Sequence, residues 1–195
     1  MQPLSSHAFD QLFHHAHSHL PYLATPVEDA TLVRLYETLR WGPTAANSSP
    51  LRVTFVRGAE AKARLVPCLA PGNVKKVESA PVTAILAMDL RFFDALPRLF
   101  PHVDAKSWYE GKPDVIAENA LRNSSLQGGY FVLAARALGL GCGPMSGFDP
   151  QAVRRAFFDG TELRPNFLCT LGYPDPQAPR HRNPRLEFHE ACRIL

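Results

Sequence analysis

The segment from Pro113 to Leu138 constrains the fold more than any other stretch of the chain. Its length and apolar content predict the longest helix. From Leu126 onward its apolar residues leave no polar face, and such a helix must lie at the centre of the structure. Gly128 and Gly129 fall in its interior, where each costs about 1 kcal/mol relative to alanine. Close approach of another backbone or of a flat ligand would offset that cost, and tight helix packing is the preferred reading.

Around this helix the other elements are shorter. A first helix is expected over Ser5–His17, with Phe9, Leu12, Phe13 and Ala16 on one stripe, and Pro21 beyond its end. A second opens after Thr25-Pro26-Val27, carries Glu28 and Asp29 in its first turn, and ends at Gly42-Pro43. Strands are expected over Val53–Val56, over Pro81–Asp89 and over Asn166–Tyr173, the second buried because its apolar residues run on without alternation. Further helices are read over 59–69, Asp149–Phe158 and Glu187–Leu195, with Gly72-Asn73 breaking the chain before Lys75-Lys76. The class is therefore α+β with a small central sheet, a single domain spanning 1–195. Residues 91–109 are rich in aromatic side chains and interrupted by Pro97 and Pro101. They read equally well as a lid or as a peripheral helical hairpin on the core.

Charge and composition narrow the function classes. Twenty-one basic and 18 acidic side chains are interspersed, leaving a net charge of +3, which argues against a nucleic-acid-binding surface. The longest apolar run, Pro81 to Met88, is too short to span a bilayer, and Met1-Gln2-Pro3-Leu4 lacks the layout of a secretory signal. A cytoplasmic protein with no membrane partner is expected. Cys68, Cys142, Cys169 and Cys192 are widely spaced and form no Cys-x-x-Cys unit, so Cys142 and Cys169 read as small core residues. His14, His15, His17 and His19 cluster, but a solvated basic helix end explains them better than a metal site. Nucleophile elbow, P-loop and His-Glu-x-x-His motifs are all missing, so no side chain stands out as catalytic.

What remains is a set of polar or basic loops beside strong elements: 41–50, 72–76 and 143–148, with Arg180-His181-Arg182 in the tail. Glycine-rich backbone suits ring heteroatoms and arginine forks suit a phosphate. Together they are the inventory for a cofactor with a planar head and an anionic tail. In Gly42-Pro43-Thr44-Ala45-Ala46-Asn47-Ser48-Ser49-Pro50, in Gly72-Asn73 with Lys76, in the run Ala134 to Phe148 and in Leu171-Gly172-Tyr173, the chain resembles the nitroreductase family of flavin enzymes. Leu99-Phe100-Pro101-His102, Ser107-Trp108 and the run Arg122 to Gln127 look most like its branch that contains the malonic semialdehyde reductase of bacterial uracil breakdown.

That resemblance implies bound FMN, a mostly antiparallel sheet flanked by helices, and an intertwined homodimer with the flavin ring at the subunit interface. Carried over residue by residue, Pro43, Thr44, Ala45 and Asn47 would line one side of the ring. Pro144, Met145, Ser146 and Gly147 would face it through backbone and small side chains, with Lys76 near its pyrimidine edge and Asn73 among the cofactor-binding residues. Arg182 and Arg180 would meet the phosphate. The family's arginine-rich phosphate motif is replaced here by His17-Ser18-His19-Leu20, and Ser146 stands where many members have Glu. Histidines at the phosphate would make FMN affinity fall as pH rises from about 6 to 8, the range in which imidazole loses its proton. The implied activity is ping-pong hydride transfer, from NADH or NADPH as co-substrate to a small semialdehyde. A nitroaromatic, quinone or enone acceptor, or a flavin-binding protein without turnover, are the alternatives.

Overall fold

The computed structural model describes residues 2–18, 21–178 and 182–195. Four strands, β1 (Leu51–Val56), β2 (Val82–Asp89), β3 (Gly141–Met145) and β4 (Leu163–Gly172), form one sheet in the order β1-β2-β4-β3. Every neighbouring pair is antiparallel, and a register shift interrupts β2 against β4 at Leu86/Ala87. The α+β class, the small antiparallel sheet and its flanking helices are as expected.

Helices cover both faces of the sheet, which is why β2 has no polar side. Ala84 and Leu86 point into a cluster with Leu35 and Leu39 of α2 (Asp29–Leu39) and with Phe131 and Ala135 of α6 (Pro113–Ala137). Ile85 and Ala87 point the other way, towards Leu65 of α3 (Ala59–Leu65), Val77 of α4 (Pro71–Ser79) and Val153 of α7 (Pro150–Phe157). The two-residue alternation of a strand thus feeds two apolar layers. Within α6, a Cβ on Gly128 would sit 2.5 Å from the Phe167 ring, so this glycine lets β4 pack onto the helix. Gly129 meets nothing within 4 Å and lies on the outer face. The expectation that α6 is covered all round fails on that face, where Leu121, Leu126 and Tyr130 are exposed.

Residues 91–109 are packed down rather than held open. Phe92, Leu96 and Tyr109 are buried in a third cluster with Ala120 of α6, and α5 (Leu96–Leu99) is its one short α-helix. The hairpin reading is thus nearer than the lid, although the segment is built of single helical turns.

Several boundaries differ from the sequence reading. The first helix is α1 (Ser6–Phe9) followed by a π-helical turn, Asp10–His14, so His17 and Ser18 lie beyond its end. Gly72-Asn73 does not break the chain; Pro71 occupies the first turn of α4, where its missing N–H costs nothing, and residues 72–76 are helical. Glycine-rich 141–145 is a strand, and Pro144 is tolerated because β3 is the last strand of the sheet. The final helix is the single turn α8 (Phe188–Ala191), beyond which Cys192 is extended. No helix among the described residues is long and apolar enough to cross a membrane.

Candidate functional site

Two of the singled-out segments meet at the β3 edge. Asn73, in the first turn of α4, donates from Nδ2 to the Gly147 carbonyl at 2.9 Å, and the Ala70 N–H donates to the same oxygen at 3.0 Å. Lys76, one turn on, donates from Nζ to Asn73 Oδ1 at 3.1 Å. Gly147 is required by this approach: a Cβ there would lie 2.6 Å from Asn73 Nδ2. Pro144 and Ser146 are exposed beside it, whereas the Met145 side chain is buried in the core, leaving only its backbone for a ligand.

The amino-terminal segment borders the same strand. Ser18 forms a parallel bridge with Cys142 of β3, and half-buried His17 shares Nδ1 with the His15 carbonyl at 3.1 Å. Arg182 reaches this region from the tail, donating from Nη2 to the carbonyls of His14 and Ala16, each at 2.5 Å. It therefore holds carbonyls at and just beyond the end of the first helical segment, and its Nε and Nη1 make no hydrogen bond to the described residues. His19 and Arg180 lie outside the described residues. Behind Ser18, the Cys142 thiol lies against Cys169, whose hydrogen bond draws the Cys142 pKa down with help from Arg136, while Cys169 is pushed well up.

Residues 41–50 stand elsewhere, at the opposite edge. They lead into β1 and pack on α6, where a Cβ on Gly42 would meet the Tyr130 ring at 2.7 Å. Ala46, Asn47 and Ser49 all have left-handed backbones, with φ of 49°, 51° and 43°. Such a residue costs on the order of 1–2 kcal/mol when it is not glycine. The surroundings fix this conformation: Asn123 Oδ1 accepts from the Ala45 N–H at 2.8 Å, and Thr44 Oγ1 accepts from the Ser49 N–H at 3.1 Å. Asn47 Nδ2 donates to the Leu99 carbonyl at 2.9 Å, tying the loop to α5. Pro43 and Asn47 border a groove of about 680 Å³ lined also by Arg40, Arg98, Leu99 and Gln127, and it contains none of the β3-edge residues.

The predicted residues therefore form two groups. Two strands separate them, which at the usual spacing puts them roughly 14 Å apart. They also face different layers, one on α4 and one on α6. Sequence reasoning gave no site role to Asn119, Asn123 and Gln127, three amides four residues apart on α6 whose neighbours are loop 44–51. Their spacing in a helix was the signal.

Fold and site together invite comparison with known proteins. The Nitroreductase family model matches residues 15–173. The chain belongs to the nitroreductase family. A Ralstonia nicotianae relative provisionally named NADH dehydrogenase/NAD(P)H nitroreductase is 54% identical over 195 residues, covering 100% of both chains. Among solved structures, a provisionally named nitroreductase of Bacillus subtilis superposes with a TM-score of 0.88 at 22% identity, covering 98% of this chain and 100% of the other. One of Exiguobacterium sibiricum, solved in complex with FMN, gives 0.86 at 19% identity, covering 100% and 99%. At these identities the two structures speak to the nitroreductase fold alone. The family match includes both the β3-edge group and the 41–50 loop, but ends before Arg182.

Proposed function

We infer that this nitroreductase-family protein is an FMN-dependent NAD(P)H oxidoreductase that acts as a homodimer. The observation that carries the reading is the junction of Asn73, Lys76 and Gly147 past one end of β3, with Ser18 and Arg182 towards the other end of the same strand, in a chain whose family and named relatives are redox enzymes. The donor set fits FMN: a cation and an amide stand at Gly147, where the Asn73 amide takes the space of a side chain, next to the exposed Pro144 and Ser146. The remaining Arg182 donors and the Ser18 hydroxyl suit a phosphate. His17 would add to that phosphate site. Arg180, Ser146 and His19 belong to the same proposal by resemblance alone.

The second group completes the site when it comes from another copy. Pro43, Thr44, Ala45 and Asn47 cannot reach their own β3 edge across the sheet, but a partner's loop can cover it. Exposed Leu126 and Tyr130 on α6, and Leu186, Phe188, Ile194 and Leu195 in the tail, give a second copy an apolar surface to bury.

When bound, FMN supplies hydride transfer from NADH or NADPH to an acceptor in two half-reactions. The chain's own groups bind and orient: Lys76 and Asn73 hold the ring edge, Arg182 and Ser18 the phosphate, and the 41–50 backbone one ring face. For the acceptor we propose malonic semialdehyde, from the branch resemblance: the aldehyde, NAD(P)H and a proton give 3-hydroxypropionate and NAD(P)+. A cytoplasmic location fits such a substrate. The test is the purified protein's visible spectrum, expected to be yellow and to bleach with NADH or NADPH, followed by stopped-flow reoxidation. Reoxidation by malonic semialdehyde no faster than by dissolved oxygen would discard that acceptor and leave nitroaromatics, quinones and enones. A coloured protein that never bleaches would be a carrier, and a colourless one that stays so with excess FMN would end the reading. An affinity for FMN that is flat between about pH 6 and 8 would remove histidine from the phosphate site.

A further inference from the structure

The amide stripe on α6 has no part in the fold's apolar packing, yet two of its three members, Asn123 and Gln127, are buried, and Asn119 is half-buried. Asn123 is 3% exposed and Gln127 4%. Polar side chains at such depth are retained where their hydrogen bonds are filled. Asn123 is engaged at both ends: Oδ1 accepts from the Ala45 N–H at 2.8 Å, and Nδ2 donates to the Asn119 carbonyl at 2.9 Å and to Asn119 Oδ1 at 3.1 Å. Asn119 Nδ2 in turn donates to the Tyr109 hydroxyl at 3.0 Å, and Gln127 Oε1 accepts from the Leu51 N–H at 2.9 Å.

These bonds bracket the left-handed run. Asn123 fixes Ala45 just before Ala46 and Asn47, and Gln127 fixes Leu51 just after Ser49. Strained backbone held by surrounding bonds, at the rim of a groove, points to a segment shaped for a ligand. We propose that Asn123 is a positioning residue for the flavin: it holds residues 44–49 in the one conformation that presents Thr44 and Asn47 to the ring. Through Asn119 and Tyr109 the aromatic segment 91–109 buttresses the same loop, which gives that segment a role. The proposal rests on the reading that residues 43–47 line FMN.

The experiment compares wild type with Asn123→Ala, Asn123→Asp and Asn47→Ala. The readouts are FMN Kd by fluorescence quenching, the visible circular dichroism of bound FMN, and the urea midpoint. Asn123→Ala is expected to weaken FMN by about tenfold, the effect of one lost buried hydrogen bond, and to change the dichroism of what remains bound. Asn123→Asp keeps the acceptor for Ala45 and is expected to restore the dichroic band even where its charge lowers the urea midpoint, so a folding defect in the alanine variant does not hide the answer. Kd within twofold of wild type and an unchanged band in Asn123→Ala would overturn the proposal. If Asn47→Ala shifts the band while the Asn123 variants do not, the positioning role alone fails. If Asn47→Ala also changes nothing, the placement of the loop against FMN falls, and the proposal with it.

Discussion

At the scale of single residues, absent side chains matter as much as present ones. Gly147 has no φ that demands glycine; what demands it is the Asn73 amide, which would lie 2.6 Å from any Cβ. Adding a methyl group forces either the Gly147 carbonyl off Asn73 or the α4 start away from β3, and in both cases Asn73 loses the carbonyl it donates to. Gly147→Ala is therefore expected to weaken FMN binding by about tenfold or more, with a modest loss of stability, as for one buried hydrogen bond. Fluorescence titration with FMN measures the first and a urea melt the second. An unchanged Kd would mean that the Asn73–Gly147 junction does not touch the cofactor. Gly42, equally crowded against Tyr130, is a packing glycine, and the contrast shows that sequence alone could not say which glycine served which purpose.

At the scale of elements, the sequence was most legible where period and length agree. The buried β2 run, the α2 stripe and the long α6 were readable because each pattern maps onto one geometry. β3 was not, since Gly-Cys-Gly-Pro-Met has neither alternation nor branched residues; long-range pairing with β4 makes it a strand. The start of α4 is hidden for a different reason: Gly72-Asn73 is a local breaker signal, while the structure follows Pro71, which opens the helix.

Within α6, neighbouring glycines should respond with opposite sign. Gly128→Ala drives a methyl group into the Phe167 ring and is expected to cost about 1–3 kcal/mol, an overpacking penalty. Gly129→Ala meets nothing in its own chain and is expected to gain up to about 1 kcal/mol from helix propensity, unless a second copy packs there. Urea melts of the two variants at low protein concentration give the comparison; equal effects would refute the packing account of Gly128. The 91–109 segment gives a pH effect. Asp94 hydrogen-bonds Arg91 at 2.8 Å and pairs with Lys106 at 3.2 Å, and these partners hold its carboxyl below the usual range. A depressed carboxyl stabilises the fold above the unfolded value near 4, and that contribution fades as pH falls towards the folded value. Because the pair is exposed, Asp94→Asn should cost no more than about 1 kcal/mol at pH 7, with the gap to wild type narrowing between about pH 5 and 3.

For the whole molecule, the decisive fact is that one chain presents its candidate site in two halves and leaves apolar groups uncovered to match. The halves were each legible in the sequence, but their separation was not, because strand order is set by long-range pairing that no local pattern encodes. The tail supplies the sharpest test. Its Leu186, Phe188, Ile194 and Leu195 are 63–101% exposed, although α8 is properly closed by reciprocal bonds between Glu187 and Glu190. An ordered turn that ends in bare apolar side chains is stable when it lies against something, and the proposed homodimer provides it. Deleting residues 186–195 removes nothing from either core layer, so the truncated chain is expected to keep its secondary structure. It should nevertheless run as a monomer in light scattering at micromolar concentration and bind FMN far more weakly, since the 43–47 loop of a second copy would no longer close the β3 edge. A truncated protein that stays dimeric would move the interface to the exposed face of α6. One that becomes monomeric yet binds FMN as wild type does would show that a single chain holds the cofactor, and would refute the two-copy site.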